Sequence, residues 1–178
     1  MKQILTLFII PILFSCGENQ NWINYKSKDK DYELLFPKKP LEKSQLMNSE
    51  LGPIQMDMIY YEAINQETED NLFYSVIQMD YPENFLPKNQ PEKIDSFFNA
   101  SIQNSVVNVH GQLTYEKIIS KKNFPGREMK VLFNEGKSVM NTRFFLVENR
   151  LIMLQVMTGV NKDFNKSINY FLDSFKLL

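Results

Sequence analysis

Few residues in this chain carry chemistry of their own. There is one cysteine, Cys16, and one histidine, His110, beside 21 acidic and 20 basic residues. A single imidazole cannot build a multi-histidine zinc site. A Ser-His-Asp triad would have to recruit His110 with no Gly-x-Ser-x-Gly elbow to present the serine. Neither a phosphate-cradling glycine loop nor a dinucleotide glycine pattern occurs. The acidic run Glu67-Thr68-Glu69-Asp70 invites a calcium reading, yet it lacks the alternating acids, the glycine and the distal Glu of a calcium loop. A solvated hairpin tip fits it better. His110 reads as a helix-end or loop residue. The inventory therefore implies no catalytic residue, no metal and no cofactor, and the expectation is a protein that is not an enzyme.

Cys16 is different, because its position gives its thiol a specific use. Met1-Lys2-Gln3 is a short basic start, and Ile4 to Phe14 is an apolar run broken by Pro11. As a helix that run is roughly 16 Å long, against roughly 30 Å of membrane hydrocarbon. It reads as a signal-peptide core, not as a membrane span. Leu13-Phe14-Ser15-Cys16 closes it. An aliphatic residue, a small residue and then a cysteine form the pattern on which diacylglycerol alkylates a thiol before cleavage. Phe14 is bulkier than the residue this pattern usually holds there. The competing reading is an ordinary secretory signal followed by a stray cysteine. The lipid reading makes Cys16 the first residue of a membrane-attached chain, since buried acyl groups contribute roughly 0.8 kcal/mol per CH₂. Gly17, in place of the Asp linked to inner-membrane retention, points to the outer membrane, on its periplasmic or its surface side.

The organisation that follows is residues 1–15 as signal peptide, 16–30 as lipidated N-terminus and tether, and 31–178 as one domain. With Cys16 modified no thiol remains for a disulfide, so the fold must rest on its apolar core. A net charge of −1 offers no basic field to a nucleic acid. Trp22 and Tyr25, within the tether, are expected to dock on the domain's edge.

Hydrophobic period supplies the elements. Residues 32–36 form a short strand stopped by Pro37. Residues 54–61 and 72–81 alternate and form a hairpin across the acidic connection. Pro91 opens an amphipathic helix over 91–107, with Ile94, Phe97, Phe98, Ile102 and Val106 on one face. Four strands follow, over 112–120, 127–133, 138–147 and 150–158. Asn149 supplies the left-handed turn residue between the last two. Residues 151–157 are apolar on both faces, as in a strand covered on both sides. Asn161 then caps a second helix carrying Phe164, Ile168, Phe171, Leu172 and Phe175. The class is α+β: an antiparallel sheet of about six to seven strands with two main helices packed on it.

Three phrases carry a resemblance: Tyr32-Glu33-Leu34-Leu35-Phe36-Pro37-Lys38-Lys39-Pro40, Phe124-Pro125-Gly126-Arg127-Glu128 and Asp173-Ser174-Phe175-Lys176. They resemble the PsbP-like α/β/α sandwich superfamily, including small lipoproteins of Bacteroidetes-type bacteria. The resemblance implies the sandwich fold and a role in binding partners; no functional residue transfers with it. The expectation is an envelope-anchored, non-catalytic accessory or protein-interaction module, held to the membrane through Cys16 and engaging a protein partner. The alternative is a carrier or sensor of a small apolar ligand, in a pocket between helix 91–107 and the sheet, lined by Phe97, Phe98 and methionines.

Overall fold

The computed structural model describes residues 22–29, 31–49, 52–65, 69–83, 85 and 90–178. Cys16 and the signal segment lie outside them. Seven strands form one antiparallel sheet in the order β3-β4-β5-β9-β8-β7-β6. They are β3 (Leu41–Ser49), β4 (Gly52–Glu62), β5 (Phe73–Asp80), β6 (Gln112–Lys121), β7 (Phe124–Phe133), β8 (Ser138–Val147) and β9 (Arg150–Gly159). A smaller antiparallel sheet sets β2 (Tyr32–Phe36) between β1 (Ile23–Lys26) and β10 (Lys176–Leu177). The helices are α1 (Pro91–Asn108) and α2 (Lys166–Ser174).

β9 is the fourth of the seven strands, and both its faces are buried. Ile152, Leu154 and Val156 enter one core; Leu151 and Met153 enter the other. The first core is closed by β2, β10 and α2. There Phe36 meets Phe171 edge-on at 5.2 Å, and Phe171 meets Tyr74 at 5.3 Å. Such contacts contribute roughly 0.5–1.5 kcal/mol each beyond the area they bury. The second core is closed by α1, whose Phe98 and Ile102 are fully buried against Met129, Val131 and Phe144. The layers are thus α1, the large sheet, and then the small sheet with α2.

Polar ties fix the outer layer. The Leu35 N–H donates to Ser174 Oγ at 2.9 Å. Arg150, at the start of β9, reaches Asp80 Oδ1 at 2.5 Å and also pairs with Asp31 and Asp29, which belong to the turn between β1 and β2.

The helix over 91–107, the four strands after it and the central place of β9 all stand as expected. Several details differ. The stretch expected as a tether contributes β1 at its end, and Trp22 packs edge-on against Tyr74 and Tyr170. β3 pairs along its whole length with β4, yet nearly all its residues are exposed, so no apolar period marks it. The second helix starts later than expected. Residues 160–162 form a 3-10 turn, and Asn165, not Asn161, caps α2 by accepting from the Ile168 N–H at 3.2 Å. Between β8 and β9 it is Glu148 that takes the left-handed conformation, at φ 58°. Asn149 instead donates its side-chain amide to Tyr81 O at 2.6 Å.

Candidate functional site

Register decides which side chains face which layer. Asn141 of β8 lies opposite Val156, and Arg143 opposite Leu154, so both face the α2 side. Glu128 and Lys130 of β7 pair with Arg143 and Asn141 and share that side. Beyond the rim of the core, these side chains and the start of α2 enclose an open cleft of about 340 Å³.

Its cation is matched within it. Lys130 Nζ lies 2.7 Å from Asp163 Oδ2, while Asn141 donates to Asp163 Oδ1 at 3.1 Å. Glu128 is held from outside the cleft lining, where Arg143 Nε lies 2.5 Å from Glu128 Oε2 and its NH1 lies 2.6 Å from Asp173 Oδ1. Burial pulls the Arg143 guanidinium down, but its hydrogen bonds to Asp173 and Glu128 outweigh that and hold it above its ordinary value. Asn165 anchors the helix start: its amide donates to Asn71 Oδ1 at 2.8 Å and to Lys162 O at 2.7 Å. Two aromatic rings stand at the rim. Phe164 is 92% exposed with Lys130 Nζ 5.1 Å from its ring centre, and Tyr115 is 43% exposed. The expectation that Phe164 belongs to the second helix is therefore wrong, because the helix begins after it, at Lys166. A cleft with paired charges, side-chain amides and exposed rings can hold a polar ligand, and its carboxylates outnumber its cations by one.

A second crevice, of about 30 Å³, lies between β1 and the β3–β4 hairpin and has room for no more than a water molecule or two. Burial, and then Glu42, push the Tyr25 phenol beside it up to about 12. Neither cavity is lined by Phe97 or Phe98.

The opposite face of the large sheet has a different chemistry. Met56 lies opposite Met79, and Met58 opposite Ile77, which in turn lies opposite Met153. Met140 lies opposite Met157. Met129 belongs to the core on the same face, and Met47 continues the row of Gln45, opposite Met56. Every methionine after Met1 thus points to the α1 side. α1 covers the end of this face nearest β7; Met56, Met58, Met79 and Met157 stay half-buried. Gln155 crosses the middle, donating to Met140 Sδ at 3.4 Å and Met153 Sδ at 3.5 Å.

The remaining sequence candidates fall apart from both sites. Cys16 is outside the described residues, as are Glu67 and Thr68. Glu69 is not a solvated tip: it pairs with Lys38 at 2.9 Å and accepts from the Tyr61 hydroxyl at 2.7 Å. Asp70 accepts from Ser167 Oγ. Among the described residues no three of His, Cys, Asp and Glu gather to hold a metal ion. His110 is exposed just after α1, at φ 48°. Phe97 stacks edge-on against Tyr81 at 5.2 Å, and Phe98 is core.

No protein-family model matches the chain, and no curated protein matches it. Among solved structures, the solution structure of cyanobacterial PsbP (CyanoP) from Synechocystis sp. PCC 6803 superposes with a TM-score of 0.56. The match covers 93% of this chain and 99% of that one at 15% sequence identity. At that identity the likeness is one of fold, and it agrees with the strand order, the two helices and the phrases at 32–40, 124–128 and 173–176: the chain has the PsbP-like fold.

Proposed function

We propose that this protein is a non-catalytic binding module, carried on the bacterial envelope by lipid at Cys16, and that the cleft between α2 and strands β6–β8 is where it holds a protein partner. The observation that carries the reading is the cleft itself. Lys130 and Asp163 within it are committed to one another at 2.7 Å and Glu128 is held by neighbouring Arg143 at 2.5 Å, while Phe164 and Tyr115 stand exposed beside it. Groups so paired position a partner; a general acid or base needs a free proton site within reach of substrate. Exposed aromatic rings are favoured anchors of protein interfaces. The PsbP-like fold accords with an accessory role.

The test is photo-crosslinking in the native envelope, with a crosslinking amino acid at position 164. One reproducible protein adduct is the expected result, absent when the crosslinker is moved to exposed Leu46 on the far edge. Adducts of equal pattern from both positions would remove the cleft from the proposal.

The carrier reading keeps one supporting observation, the half-buried methionine face beside α1, since flexible thioether side chains adapt to apolar ligands.

A further inference from the structure

The methionine face contains an arrangement that packing alone does not require. Met56 and Met79 are directly opposed on neighbouring strands, and Met58 lies two positions along from Met56 on the same face. In antiparallel pairs, opposed Cβ atoms are about 4.5–5.5 Å apart and diagonal neighbours about 7–8 Å apart. Methionine is unbranched with three rotatable bonds, so three sulfurs so placed can converge on one point. All three residues are half-buried, open enough for an ion to enter. Two of the sulfurs accept long hydrogen bonds that a bound ion would replace. The Gln45 amide donates to Met56 Sδ at 3.9 Å and the Tyr81 hydroxyl to Met79 Sδ at 3.8 Å.

Thioethers are soft, uncharged donors with no proton to lose. They favour Cu(I) and similar monovalent ions, and bind poorly the hard oxygen-seeking ions. From this geometry we propose that Met56, Met58 and Met79 form a binding site for one soft monovalent cation, Cu(I) or its redox-inert analogue Ag(I). Lys43, opposite Met58 on the exposed edge strand, is a cation on this face, and solvent screens it there. The site is separate from the α2-side cleft and stands or falls without it.

The test uses the full chain in detergent micelles, with the Cys16 sulfur alkylated so that no thiol competes for the ion and with ¹³C-labelled methionine methyl groups, titrated with silver nitrate in chloride-free buffer. The methyl signals of Met56, Met58 and Met79 should shift together and saturate at one ion per chain, while those of Met129 and Met140 stay in place. Met79→Leu should weaken Ag(I) binding at least about tenfold, because one of three ligands is lost. Met140→Leu should leave it unchanged. Methionine-to-leucine exchange conserves volume and costs under about 1.5 kcal/mol, and the amide spectrum of each variant checks that it is folded. Binding of Cu(I) in competition with a chromophoric chelator should show the same ranking, with calcium giving no shift. No methyl shift, shifts spread over every methionine, or unchanged affinity in Met79→Leu would overturn the site. An apolar probe that moves these methyl groups while Ag(I) does not would overturn it in favour of the carrier reading.

Discussion

At the scale of single residues, the buried phenols are the titrating groups whose environment matters most. Tyr74 is 3% exposed, stacked among Trp22, Tyr61 and Phe171. Burial raises its phenol to about 12 from an ordinary 10.0, although the hydrogen bond from Asn71 favours the anion. Tyr25 is raised to a similar value, again by burial first. The fold therefore favours the neutral phenol, and the unfolded chain ionises first. Stability from this source is complete below pH 10.0 and is lost as pH rises from there towards 12. Urea titrations at increasing alkaline pH should show this loss, and Tyr74→Phe should make it shallower. An identical slope in Tyr74→Phe would assign the loss to other groups. Residue-level chemistry was legible only in part: the acidic run at 67–70 reads as a solvated tip, yet Glu69 is held by Lys38 and Tyr61, partners that sequence spacing does not reveal.

At the scale of elements, legibility followed burial. The amphipathic period exposed α1, and doubly apolar residues exposed β9, because both are defined by what they bury. β3 escaped because an edge strand with solvent on both sides needs no apolar alternation; its pairing with β4 is a backbone property. The start of α2 was misplaced because Asn161 and Asn165 are equally good caps in isolation. Contact with Asn71, far away in the chain, anchors Asn165. Gly126 carries an element-level constraint inside β7, just ahead of the strand expected over 127–133. A Cβ there would lie 2.4 Å from the Phe144 carbonyl oxygen of the neighbouring strand. The β7–β8 pairing cannot close over a side chain at that point. Gly126→Ala should cost about 3 kcal/mol through forced separation of the strands. It should appear as a lowered urea midpoint with unchanged slope; a loss under about 0.5 kcal/mol would mean that the strands part freely there.

At the scale of the whole molecule, the proposal is a domain on a lipid leash. Among the described residues no helix is long and apolar enough to cross a membrane; the proposed attachment is acylation of Cys16. Cys16→Ser should move the protein from the membrane pellet to the soluble fraction of lysed cells. Wild-type protein recovered soluble, with an unmodified thiol by mass spectrometry, would refute the anchor. The methionine face also belongs to this scale. Alternation in the sequence places each methionine on one side of its own strand. Only the register of six strands reveals that all these sides coincide. The α2-side cleft was illegible for the same reason, since Lys130, Asn141 and Asp163 meet only once two strands and the 3-10 turn are in place.

The small sheet has a consequence for how the chain reaches this state. β2 pairs with β10, and the Leu35 N–H bonds to Ser174, 139 positions away. Closing a loop of that size is slow relative to forming hairpins, because the entropy is lost before the contacts repay it. The hairpins β3–β4 and β6–β7–β8–β9 can assemble from local pairings, whereas Tyr32, Leu34 and Phe36, which also pack on β4 and β5, lack the rest of their core until β9, α2 and β10 arrive. During synthesis, three of the most buried side chains of the first core therefore wait, only partly covered, for residues near position 175 to emerge. In that interval the chain is at its most prone to aggregate, and a chaperone that shields residues 32–36 would have its greatest effect there.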